Sequence, residues 1–130
     1  MFSHVYFGTN DIEKSKAFYD AALTPLGYSK AQPYPAGIMY VKPEGGSTVI
    51  IAPPADGKAA TYGNGHTLGF IAADYAAVDA FHADGVAAGG ADEGEPGFRP
   101  NSPGNMYGAY LRDPYGNKIC AYAPNVGPKE

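Results

Sequence analysis

The sequence predicts an α+β domain built from one supersecondary unit used twice. Three observations carry this. Strand-like and helix-like periods alternate as strand–helix–strand–strand, then repeat after a linker. The chain has 130 residues, the size of one domain, with a single cysteine. Glycine and proline are abundant (18 and 12), but 11 tyrosines and 6 phenylalanines supply a core, which argues against disorder.

The first strand is read at Phe2 to Gly8, with Phe2, His4 and Tyr6 on one face and Ser3, Val5 and Phe7 on the other. Asn10 is read as the helix N-cap, with Glu13 as its capping-box partner. Ile12, Tyr19, Leu23 and Leu26 form an apolar stripe, and Pro25 and Gly27 end the helix. Strands follow at Ile38–Lys42 and Thr48–Ala52, joined by the turn residues Pro43-Glu44-Gly45-Gly46. Module 1 spans about 1–53, a linker about 54–65, and module 2 about 66–124.

Module 2 opens with a strand over His66 to Ala72. Asp74 caps a helix through Val78, Phe81 and His82, in which Gly85 costs about 1 kcal/mol relative to alanine. Gly89-Gly90 ends it, and 91–106 reads as a Gly/Pro-rich loop. Tyr107–Arg112 and Lys118–Ala123 are strands flanking Asp113-Pro114-Tyr115-Gly116-Asn117. Overlaying the halves places Tyr40 on Tyr110, Ile50 on Cys120, and His4 with His66 as the residues that open each half.

The formal charge is −4 and no basic stretch is present, which excludes a phosphate-tracking surface and points away from nucleic acid. No apolar run approaches a bilayer span, so no membrane partner is expected. The N-terminal residues lack a signal-peptide pattern and one cysteine allows no internal disulfide, so a cytoplasmic location is expected.

If the halves are related by a pseudo-two-fold axis, His4, His66 and Cys120 converge on one site that can hold a divalent metal such as zinc. A single histidine on a half-apolar strand is more often a hydrogen-bonded core residue than a ligand, and Cys120 suits a small buried hydrophobe; the repeat symmetry is what lifts the trio. His82 has no partner in the repeat and reads as a surface histidine. The 91–106 loop should flank the cleft, making Phe98, Arg99, Asn101, Asn105 and Tyr107 candidate ligand contacts, with Arg99 suited to an anionic group.

His4-Val5-Tyr6-Phe7 with the helix Asp11 to Tyr19, Gly65-His66-Thr67-Leu68-Gly69-Phe70, and Arg112-Asp113-Pro114-Tyr115-Gly116-Asn117-Lys118-Ile119 together resemble the vicinal oxygen chelate superfamily. This group includes glyoxalase I, bleomycin-resistance proteins, thiol transferases and extradiol dioxygenases. The resemblance runs from His4 to Tyr122. It implies two paired βαβββ modules forming a curved mixed sheet around a cleft, the glyoxalase-like fold. The extra strands would lie near Tyr28–Tyr34 and within 91–100. It also implies a homodimer, a small-molecule ligand and, in metal-binding members, a zinc, nickel, manganese or iron ion. The metal positions carried over are His4, Ile50, His66 and Cys120. Isoleucine cannot bind metal, and cysteine stands where the family has glutamate, so the carboxylate base of glyoxalase chemistry is missing. Three readings follow: a metal-dependent lyase or thiol transferase, a metal-free small-molecule binder of the bleomycin-resistance kind, and a relative whose cleft is filled by its own side chains.

Overall fold

The computed structural model describes residues 2–130. Strand β1 (His4–Gly8) leads into helix α1 (Ile12–Leu23), a 3-10 turn (Thr24–Leu26) and strands β2 (Gln32–Tyr34), β3 (Gly37–Tyr40) and β4 (Thr48–Ala52). After the linker come β5 (Leu68–Ile71), α2 (Tyr75–Ala87), β6 (Ala91–Phe98), β7 (Tyr107–Arg112) and β8 (Lys118–Ala123). The strands form two mixed four-stranded sheets, ordered β1-β4-β3-β2 and β5-β8-β7-β6. In each sheet the first strand runs parallel to the last, and the others are antiparallel.

Period two then sorts the side chains. Val5 and Phe7 of β1 and Val49 and Ile51 of β4 join the core with Phe18, Tyr19 and Leu23 of α1. In module 2, Tyr107, Ala109 and Leu111 of β7 and Ile119 and Ala121 of β8 do the same with Val78 and Phe81 of α2. The two sets form one continuous core through an α1–α2 contact. Gly85 permits that contact: a Cβ there would stand 2.5 Å from Leu111 and 3.2 Å from Phe18. One face of each sheet is thus covered by its helix, and the other is left open.

A buried polar joint ties the modules together. The Tyr19 hydroxyl on α1 donates to Asp113 Oδ2 at 2.6 Å. Asp113 also accepts from Asn117 Nδ2 at 2.8 Å and from the backbone N–H groups of Tyr115 and Asn117. Asn117 Nδ2 in turn donates to Gly8 O on β1. The Asp113–Asn117 motif therefore serves to pair the modules as well as to turn the chain.

Several local expectations are corrected. The α1 N-cap is Asp11, whose Oδ1 accepts from Glu13 N at 3.0 Å and Lys14 N at 3.3 Å. Asn10 instead clasps the linker, bonding both N and O of Ala60. Residues 91–98, read directly from the sequence as loop, form edge strand β6, in agreement with the extra strand the resemblance implies. Its pairing with β7 is interrupted by bulges, and Pro96 lies between the paired residues Gly94 and Gly97, a position an edge strand tolerates. Strand β5 begins at Leu68, so His66 precedes it.

Candidate functional site

The open face of module 2 carries a cavity of about 600 Å³. Strand β5 contributes Gly69, Phe70 and Ile71, and the β6–β7 connection contributes Arg99, Asn101 and Met106. Tyr110 of β7 and Tyr122 of β8 complete it. The sheet period explains the tyrosines. Tyr110 lies opposite Cys120, and Tyr122 is two residues further along the same face. Their hydroxyls hydrogen-bond at 2.7 Å and their rings meet edge to face. The cleft mixes apolar walls with few polar groups and has the size of a typical small-molecule site.

Arg99 is fixed within this cleft. It donates to Glu95 O at 2.7 Å and Gly97 O at 3.1 Å, and it stands 5.7 Å from the Tyr110 ring centroid. Lys118 approaches the same ring at 5.2 Å. The cleft lining contains no carboxylate. A larger hollow, about 740 Å³, lies beside the linker, but its cation is already engaged. Arg112 there pairs with Glu93 at 3.1 Å and donates to Gly63 O and Gly116 O.

The three candidate metal ligands lie in different settings. His4 is exposed on β1, its Nδ1 bonded to Ser3 Oγ at 2.9 Å. His66 is exposed ahead of β5, its ring against Gly63, at a separate cavity of about 430 Å³ between β1 and β5. Cys120 is buried on β8 beside Gly69. Among the described residues, no group of three or more His, Cys, Asp or Glu side chains is placed to hold a metal ion.

Register gives the reason. Ile50 pairs with Tyr6, and Cys120 pairs with Gly69, so Tyr6 and Gly69 are the equivalent positions. His4 then matches Thr67, and His66 matches Ser3. The caps agree, since Asp11 and Asp74 fall at the same offset. A slip of one residue reverses the face a strand residue occupies. The same slip affects Tyr40. It pairs with Val49 and is fully buried against α1, so it matches Leu111 and not Tyr110.

The thiol is unsuited to metal as well. Burial pushes Cys120 up to about 11, only partly offset by the nearby charges of Lys118 and Arg99. It is therefore a neutral thiol at neutral pH in the metal-free chain, and a metal would have to displace its proton. Within one chain the donor set does not fit a metal centre.

Of the five loop candidates, Arg99 and Asn101 line the cleft. Tyr107 is buried toward α2, its hydroxyl donating to Asp79 at 2.6 Å, and burial followed by that bond raises its pKa. Phe98 packs edge-on against Tyr75 and Tyr107, and Asn105 borders a smaller hollow beside Asn125. His82 is largely covered and bonded to Asp92 Oδ1 at 2.8 Å, so it is not a free surface histidine. Sequence reasoning missed Ile71, Met106 and Tyr122. The period-two row Lys118, Cys120, Tyr122 was the available signal.

Known structures share this fold. A glyoxalase/bleomycin-resistance protein from Albidiferax ferrireducens T118 is similar at 48% identity, covering 96% of this chain and 99% of its own, with a TM-score of 0.87. A glyoxalase/bleomycin resistance protein/dioxygenase family enzyme from Burkholderia phytofirmans PsJN shares the fold at 21% identity, with coverage of 95% and 98% and a TM-score of 0.71. A lactoylglutathione lyase from Agrobacterium tumefaciens shares it at 19% identity, with coverage of 95% and 92% and a TM-score of 0.62. Among curated proteins, none matches the chain. The profile of the Glyoxalase/Bleomycin resistance protein/Dioxygenase superfamily matches residues 1–121, and the chain belongs to that superfamily.

Proposed function

We propose that the protein binds a small organic molecule directly, without a metal, in the cleft between β5, the β6–β7 connection and the Tyr110–Tyr122 pair. One observation carries this reading: a cavity of about 600 Å³ joins apolar and aromatic walls to a single fixed cation, with no carboxylate in its lining. Among the readings the sequence leaves open, the metal-free binder fits this geometry better than the metal-dependent lyase or thiol transferase. The cleft's own lining also lacks the carboxylate base that glyoxalase chemistry uses beside a carbonyl.

The functional unit of this reading is a homodimer. Tyr6 (42% exposed) projects from the face of the first sheet that α1 leaves uncovered, an apolar face open to a covering layer. A second copy supplies one. Light scattering should give twice 13.5 kDa; a mass of 13.5 kDa removes this part of the proposal.

The binding test uses protein purified without an affinity tag and treated with EDTA. It is screened by ligand-observed NMR against small aromatic and aliphatic compounds, alongside elemental analysis. Compounds that bind equally before and after EDTA, with metal well below one equivalent, are the expected result. Binding that appears only after zinc, nickel, manganese or iron is restored overturns the proposal in favour of metal-dependent chemistry.

A further inference from the structure

We propose, resting on the reading of this cleft as a small-molecule site, that its ligand is a planar aromatic carboxylate, with the carboxylate on Arg99 and the ring against Tyr110, Tyr122 and Ile71. Arg99 is held in a way that leaves its charge free. Its two hydrogen-bond partners are main-chain carbonyls, Glu95 O and Gly97 O. A guanidinium has five N–H donors, so three remain. Arg112, the other arginine, contrasts with it by pairing with Glu93. Asp92, whose carboxyl the Arg99 charge helps to hold low, is tied to His82 on α2. Arg99 thus keeps its charge available within a cleft that has no anion of its own.

The seat for that guanidinium is built into β6. A Cβ at Gly94 would stand 3.2 Å from Arg99 Nη2, and one at Gly97 would stand 3.2 Å from Nη1. Both glycines let the guanidinium lie close to the strand, where the two carbonyls fix its plane. A fixed planar fork matches a carboxylate in bidentate fashion.

The rest of the cleft agrees in sign and shape. Lys118 forms no ion pair among the described residues and adds positive potential beside Tyr110. The Tyr110 and Tyr122 hydroxyls share one hydrogen bond and present their polar atoms to the cleft. Burial, followed by the bond to Tyr122, holds Tyr110 well above its ordinary pKa, so it stays a donor. Gly69 adds no side chain to the floor, and Ile71 offers an exposed apolar surface for a ring. A phosphate dianion asks for more than this one fixed arginine, whereas a singly charged carboxylate is matched by it.

The test compares 2-naphthoate with its neutral isostere 2-naphthamide on the EDTA-treated, full-length protein. The chain contains no tryptophan, so fluorescence anisotropy of the naphthyl group is read with little protein background. Naphthoate should bind about tenfold more tightly than the amide, the scale of one charge-assisted contact. Arg99→Gln should remove most of that difference by weakening naphthoate far more than the amide, with a retained thermal transition showing that the variant folds. Lys118→Met should weaken naphthoate by a smaller factor, about two- to threefold, as expected for a screened charge. If acid and amide bind alike to the unaltered protein, the anion inference fails while the cleft remains a binding site. If the acid keeps its advantage in Arg99→Gln, the anchor assignment fails. If neither compound binds while other small molecules occupy the cleft, the aromatic-anion class is wrong. If nothing binds there at all, the underlying reading fails with it.

Discussion

Asp113→Ala should be among the most damaging single substitutions in this chain. The side chain is 4% exposed and accepts four hydrogen bonds between 2.6 and 3.0 Å. Removing it strands the Tyr19 hydroxyl, which has no exposure and no other acceptor. It also strands one hydrogen of the Asn117 amide, whose remaining partner is Gly8 O at 3.2 Å. The buried Asn117 backbone N–H loses its acceptor as well. Each buried unsatisfied group costs about 1–3 kcal/mol, so the three together cost roughly 3–9 kcal/mol. The Tyr115 N–H lies in a half-buried turn where water can replace the lost acceptor, and it adds little. That loss is a large part of the roughly 5–15 kcal/mol that holds a typical domain together. Tyr19→Phe removes the hydroxyl and its need for a partner at once, and should cost only about 1–2 kcal/mol. Urea denaturation of both variants and of the double variant closes a double-mutant cycle. The double variant should fall short of the sum by about 1–3 kcal/mol, because a phenylalanine in place of Tyr19 leaves no stranded donor. A loss below about 1 kcal/mol for Asp113→Ala, or strict additivity, would refute this reading of the joint.

Three further outcomes are expected. Gly85→Ala should not stabilise α2: the helix-propensity gain of about 1 kcal/mol is opposed by a Cβ 2.5 Å from Leu111, an overpacking cost of about 1–3 kcal/mol, and thermal unfolding reads the sign. Cys120, pushed up to about 11 from an ordinary value of 9.0, should react with iodoacetamide at pH 8 about a hundredfold more slowly than in the unfolded chain. Because the folded state holds that proton more tightly, this contribution to stability is intact below about pH 9 and is lost as pH rises toward 11; a flat profile there counts against it. Hemithioacetal isomerase activity with methylglyoxal and glutathione should stay below roughly 1 s⁻¹ with zinc, nickel or manganese added, and ordinary turnover would contradict a cleft without a carboxylate base.

The fold was legible because its signals are local. Alternation in β1 and β4, the apolar stripe of α1 and the Asp113–Asn117 turn each declare themselves over a few residues. Strand β6 did not, because an edge strand with bulges and Pro96 needs no apolar alternation. The α1 cap was ambiguous because Asn10 and Asp11 are both good caps, and only the linker, fifty residues away in sequence, shows that Asn10 is used elsewhere.

The candidate site was harder to read. Two histidines near the starts of two modules suggested symmetry, yet they differ by one position in the repeat, and only His4 lies on a strand. Arg99 was legible as a cation in a loop beside a cleft. Its seat on Gly94 and Gly97 was not, since contacts across a bulged strand leave no spacing rule in the sequence. Tyr40, Tyr107 and Tyr110 look alike as strand tyrosines, but the first two face helices and only Tyr110 faces the cleft.

The most direct measurement of the central claim is amide chemical-shift mapping of the EDTA-treated protein during titration with 2-naphthoate. Perturbations should concentrate at Gly69, Ile71, Arg99, Tyr110 and Tyr122 and stay unchanged when zinc is added. Perturbations centred on His4 and His66, or appearing only with metal, would contradict the claim.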